Sequence, residues 1–107
     1  MLIDFNSMFA SVLPSQHGDS FEAKTFLYKD GRIMNITLQP GDIIGEHGHG
    51  GAYEILYAVE GVCTVVCDGE RERLASGNCH LLPPGKKHTI INIGKHETEL
   101  LSIIANK

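Results

Sequence analysis

Three histidines and one glutamate have the types and spacing that could do chemistry. His47 and His49 are separated by one residue, so on a strand both imidazoles leave the same face, about 6.6 Å apart along it. The Gly50-Gly51 pair then offers a reversal, after which Glu54 opens the next strand-like run and can return to the same region. His88 begins a further run after the rigid Pro83-Pro84-Gly85 turn. Neighbouring strands could thus bring three ring nitrogens and one carboxylate oxygen to a single ion. Taken alone, the His47-x-His49 pair also fits solvated loop histidines, because a histidine-rich tract is only a compositional hint.

Positioning these groups calls for strands. From Phe21 onward the chain reads as short β-rich runs punctuated by Gly, Pro, Asp and Asn. They are Phe21 to Tyr28, Arg32 to Leu38, Glu54 to Val59, Val62 to Cys67, Glu72 to Ala75, His80 to Leu82, His88 to Ile93 and Glu99 to Ala105. Asp30-Gly31 and Asp68-Gly69 sit between such runs and predict hairpins, since both positions tolerate positive φ. Helical spacing is confined to Phe5, Met8, Phe9 and Val12, which predicts one or two turns of helix near the start. So many short strands cannot pair in one flat sheet without open edges, so the expected class is all-β, a sandwich or barrel. In the run from Glu54 to Val59 apolar residues occupy both parities, which predicts burial of both faces by a second sheet or a partner subunit.

The whole chain of 107 residues suits one domain that buries roughly two-thirds of its unfolded surface. Nine Lys and Arg against thirteen Asp and Glu leave a net charge of -4 with no basic run, which argues against nucleic acid as a partner. No signal-peptide pattern opens the chain, and no window approaches the roughly 18 apolar residues of a membrane span. A cytoplasmic protein without a membrane partner is the expectation. Cys63, Cys67 and Cys79 are odd in number, and Cys63 and Cys67 would lie about 13 Å apart on a strand, beyond the roughly 7 Å limit for a disulfide. Reduced thiols are expected.

The glycines and prolines around the histidines carry a family resemblance. Gly41, five residues, His47, one residue, His49, four residues, Glu54, six residues and Gly61 reproduce the first motif of the cupins. Gly77, five residues, Pro83, one residue, Gly85, two residues, His88, three residues and Asn92 reproduce the second. The chain therefore resembles a small single-domain cupin, over 41–61 and 77–92, within one domain spanning 1–107. One departure is Gly77-Asn78, where many cupins have Gly-Asp; Asn can serve the same turn. The resemblance implies a double-stranded β-helix, a jelly-roll barrel with one divalent metal (Fe, Mn, Ni, Co, Cu or Zn) held by His47, His49, Glu54 and His88. Three imidazoles and a carboxylate suit any of these ions. Four protein ligands on a six-coordinate ion leave two positions for a small molecule.

The function implied is a metal-dependent enzyme acting on a small polar organic molecule, of dioxygenase, isomerase or decarboxylase type. The alternative is a non-catalytic binding or sensing module. No catalytic acid or base stands out. Tyr53 should point away from the metal, and Tyr57, His17, His80, Cys63, Cys67 and Cys79 are open candidates whose bland reading is packing or exposure. Lys86-Lys87 reads as a solvated turn that could draw an anion, and His96 as a water-facing turn residue. Gly41, Gly61, Gly77, Gly85, Pro83 and Asn92 read as architecture, the last tying neighbouring backbone. A homodimer is expected, with the apolar segment from Met1 to Ser20 as an arm over the partner or a cover for an open edge.

Overall fold

The computed structural model describes residues 1–14 and 20–105. In chain order its strands are β1 (Ser11–Pro14), β2 (Ser20–Tyr28), β3 (Gly31–Leu38), β4 (Ile43–His47), β5 (Tyr53–Glu60), β6 (Val62–Cys67), β7 (Glu70–Ala75), β8 (Cys79–Leu82), β9 (His88–Ile91) and β10 (Thr98–Ala105). They form a six-stranded sheet in the order β1-β2-β3-β10-β5-β8 and a four-stranded sheet in the order β4-β9-β6-β7. Every pairing is antiparallel. The expected all-β jelly roll is the fold observed, a double-stranded β-helix.

Alternation decides what faces the interior. On β5, Glu54, Leu56 and Ala58 are buried while Tyr53, Ile55, Tyr57 and Val59 are exposed. On β10 the buried set is Thr98, Leu100, Ser102 and Ile104. Leu38, Leu56, Val65, Ile90 and Leu100 meet at the centre of the barrel with almost no exposure. Truncating one such leucine to alanine would cost about 2 to 5 kcal/mol.

Several local expectations are corrected. Within the chain, β5 is covered on one face only, because its apolar outer residues lie on the outside of the large sheet. The segment expected as helix from Phe5 to Val12 is a single 3₁₀ turn, Phe5–Ser7, after which the chain extends and Val12 belongs to β1. That turn is held by Asp4, whose Oδ1 accepts from the Asn6 amide at 3.0 Å. β1 pairs along β2 and so covers an edge of the sheet, while Met1, Leu2 and Phe9 stay exposed. Its own run and that of β4 escape a periodicity reading, the first because it is four residues long and the second because Gly45 interrupts it.

Both Asp-Gly hairpins form, by different geometry. Asp68 and Gly69 are the two turn residues between the paired Cys67 and Glu70, with φ of 53° and 77°. In the other, Tyr28 pairs with Gly31, so the turn residues are Lys29 and Asp30. Gly31 is needed because a Cβ there would collide with the Ile104 carbonyl, to which the Tyr28 hydroxyl donates at 3.2 Å. Asn92 ties the loops as expected: its amide nitrogen donates to the Leu38 and His96 carbonyls, each at 2.9 Å, and its oxygen accepts from the Gly94 amide at 3.0 Å. Asn78 also serves its turn, accepting from the Ala75 amide at 3.0 Å.

Candidate metal centre

His47 ends β4 and faces His88, the first residue of β9, across an antiparallel rung. A register shift between Ile44 and His47 turns that end of β4. His49 lies beyond the strand, in the turn that leads to β5, where the Ala52 amide donates to its carbonyl at 3.0 Å. The single-strand picture for His47 and His49 is therefore corrected, yet the rings still converge, with centroids 5.1 Å apart. Glu54 reaches them from the opposite sheet.

His47, His49, Glu54 and His88 offer ligand atoms that all lie within 4.8 Å of one another, so the group could hold a metal ion. Glu54 Oε1 stands 2.7 Å from His88 Nε2, 3.4 Å from His49 Nε2 and 3.9 Å from His47 Nε2, and the His47 and His88 Nε2 atoms are 3.2 Å apart. Ligands at right angles around an ion, each about 2.1 Å from it, would be about 3 Å apart. The pairs at 2.7, 3.2 and 3.4 Å match that spacing, and the wider His47–Glu54 pair at 3.9 Å lies between it and the separation of two opposed ligands. His49 Nε2 and Glu54 Oε1 are buried without a hydrogen-bond partner, which is costly unless a cation takes them up. The residues fit the ion.

Neighbouring groups set the protonation states. His47 Nδ1 lies 2.8 Å from the Gly45 carbonyl and donates to it, which leaves Nε2 free as a lone-pair donor. Burial lowers the His47 pKa, against the Gly45 contact that raises it, and so favours the neutral ring. For Glu54 burial acts upward, but contacts with His49, His88 and Ser102 outweigh it and hold the carboxyl well below its usual range. The Ser102 hydroxyl donates to Glu54 Oε2 at 2.5 Å, so Oε1 is the oxygen left for an ion. Behind His88 lies His80, buried, with ring centroids 5.2 Å apart and its Nδ1 2.6 Å from Glu72 Oε1. This contact joins β8 of one sheet to β7 of the other.

The remaining candidates separate. Tyr53 and Tyr57 point outward. Cys63 is core, and burial pushes its thiol up to about 11. Cys67 lies on the rung of His88, its thiol raised by burial and by the Asp68 and Glu72 carboxylates. Cys79 and His96 are exposed, and His17 lies outside the described residues. Lys86 pairs with Asp68 at 2.9 Å on the surface instead of turning toward the centre. A cleft of about 420 Å³ sits by that pair and by Thr89, and none of the four clustered residues lines it.

A cleft of about 300 Å³ does open on the centre, lined by His47, His49, Phe21, Met34, Ile44 and Arg32 among others. Arg32 and Ser102 escaped the sequence reading. A signal for Arg32 was present: it alternates in phase with Met34, Ile36 and Leu38, all three buried, so it belongs to the inner face of β3. Ser102 had a weaker one, its phase with Leu100 and Ile104.

The family model described as Cupin domain matches residues 34–104. Among curated relatives, the oxalate-binding protein of Thermotoga maritima is 28% identical over 83 residues, 77% of this chain and 69% of that protein. The polyketide synthase CurC of Streptomyces cyaneus is 33% identical over 64 residues, 60% of this chain but 42% of that protein. Among solved structures, a predicted oxalate decarboxylase from Thermotoga maritima superposes with a TM-score of 0.90 over 100% of both chains at 23% identity. The cupin domain of Cnp3 from Schizosaccharomyces pombe gives 0.82 over 100% of this chain and 70% of that one, at 14% identity. At such identities the likeness is one of fold.

Proposed function

The chain belongs to the cupin family, and from that premise we propose that it is a mononuclear metal protein that holds a small oxygen-bearing organic molecule at the ion. The observation that carries this reading is the convergence of His47, His49, Glu54 and His88, whose His49 Nε2 and Glu54 Oε1 are buried and face only one another and the neighbouring rings, with no hydrogen-bond partner of good geometry. A divalent ion bound there would act as a Lewis acid and as a template for an oxygen ligand. Around it, Ser102 orients Glu54, the Gly45 carbonyl orients His47, and the packed barrel beneath excludes water. The chemistry we favour is enzymatic, of decarboxylase, dioxygenase or isomerase type. A binding module is the second reading, supported by the name of the oxalate-binding relative.

The further parts of the proposal are a single cupin domain over 1–107, a cytoplasmic location, a small-molecule partner in place of nucleic acid or membrane, and a homodimer. Among the described residues no helix is long and apolar enough to cross a membrane. The dimer is supported by the exposed row of Tyr53, Ile55, Tyr57 and Val59 on β5.

Elemental analysis of protein purified without an affinity tag tests the centre. About one transition-metal ion per chain is expected, and the His47→Ala/His49→Ala variant should lose it while keeping a β circular-dichroism spectrum. Unchanged metal content in that variant would place the site elsewhere. Turnover of small carboxylates by the loaded protein would select the enzyme reading, and tight binding without turnover the module.

A further inference from the structure

Arg32 brings a charge to the cleft beside the centre, and among the described residues no carboxylate pairs with it. It lies on one rung with Leu27 of β2, Ile104 of β10 and, through Ile104, Glu54 of β5. Arg32 and Glu54 are thus two strands apart, about 10 Å between backbones, on the inner face of one sheet. Arg32 Nε is buried without a hydrogen-bond partner, and among the described residues no carboxylate forms an ion pair with it. The side chain lines the cleft that it shares with His47 and His49, where the exposed Glu46 is also found at the rim. It also lines a second opening of about 290 Å³ beside His49 and Tyr28.

A guanidinium keeps its charge at any working pH, and its planar fork matches a carboxylate. Drawn partly out of water without a partner, such a charge is costly until an anion meets it. We propose that Arg32 is the anion-reading residue of this centre and that the ligand is a small carboxylate, one part held on the ion and another on the guanidinium. A divalent ion, the Glu54 carboxylate and Arg32 together carry two positive charges, and with the Glu46 carboxylate at the rim the cleft stays net positive, which suits an anion. The inference deepens the proposed function and rests on its metal-and-ligand reading.

Oxalate, the smallest dicarboxylate, is the probe. Metal content and calorimetric oxalate binding are to be measured on wild type, Arg32→Gln and Arg32→Lys. All three should hold the same metal, oxalate should bind at least tenfold more weakly to Arg32→Gln, and Arg32→Lys should lose less. Equal oxalate affinity in wild type and Arg32→Gln, with metal retained, overturns the role of Arg32 and leaves the metal centre standing. A metal-loaded wild type without affinity for oxalate also overturns it, whereas a wild type that takes up no metal removes the underlying reading as well. Should Arg32→Gln fail to fold, phenylglyoxal labelling of the metal-loaded wild type reads the same contact. Oxalate must slow modification of Arg32 and spare the labelling of Arg71 and Arg73, both exposed; equal labelling of Arg32 with and without oxalate overturns the inference.

Discussion

Ser102 shows how much of the centre depends on a residue that would not touch the ion. Its hydroxyl occupies Oε2 of Glu54 and so determines which oxygen is offered. Ser102→Ala should lower metal affinity about 10- to 100-fold, measured by competition with a chromophoric chelator, and an unchanged affinity would show that packing alone orients Glu54. Protonation gives a second expectation, for metal-free protein. The His47 pKa is held below the usual 6.5, so as pH falls through that value the unfolded chain takes up a proton that the folded chain refuses. Stability is then greatest above this value and declines below it. The Glu54 carboxyl, also lowered, adds a second loss below its ordinary value of 4.5. The melting temperature of chelator-treated protein should therefore drop between pH 8 and 5, and His47→Gln should flatten that drop. A drop of equal size in both proteins would assign it to other groups.

At the scale of the element, two glycines with similar backbones make different demands. Gly61, between β5 and β6, and Gly69, in the β6–β7 turn, have φ of 85° and 77°. An added Cβ at Gly69 meets open space, while at Gly61 it would press on the Glu97 carbonyl and on Thr98. Gly69→Ala should cost about 1 to 2 kcal/mol from the left-handed backbone alone. Gly61→Ala should cost more, and denaturant melts of the two variants test the order; equal costs would mean that the 97–98 segment yields freely. The same elements show what periodicity can reveal. The Asp68-Gly69 turn is legible because its demand for positive φ is local. β4 was not, because Gly45 breaks its pattern and its place is set by pairing with β9. The 3₁₀ turn at Phe5–Ser7 was over-read as helix since Phe5, Met8 and Phe9 have the spacing without a core to pack against.

For the whole molecule, the outer face of the six-stranded sheet is the feature that the chain does not complete. Tyr53, Ile55, Tyr57 and Val59 of β5 and Leu81 of β8 are all exposed there, Leu81 at 56%. Covering such a face removes apolar area from water at about 25 cal/mol per Å². Light scattering at micromolar concentration should give the mass of a dimer, and Ile55→Glu/Tyr57→Glu should give a monomer that still binds its metal. A monomeric wild type would sink the dimer, and a dimeric double variant would move its interface elsewhere. Because Glu54 faces inward from the same strand, a metal and a second copy of the chain would take opposite faces of β5.

Ligand types, their spacing and the all-β class were readable in the chain, because turn chemistry, alternation and motif spacing act between residues close in sequence. His47, His49, Glu54 and His88 needed no structure to be named as candidates. Folding had to supply what depends on register between distant strands. Ser102 meets Glu54 across 48 positions, and Arg32 shares its rung with Glu54 only because β10 inserts between β3 and β5. His80 likewise stands behind His88 through the closure of one sheet on the other. Which face of β5 is inside was undecidable from apolar residues at both parities; packing against the second sheet selected the face of Glu54, Leu56 and Ala58 and left the other outside.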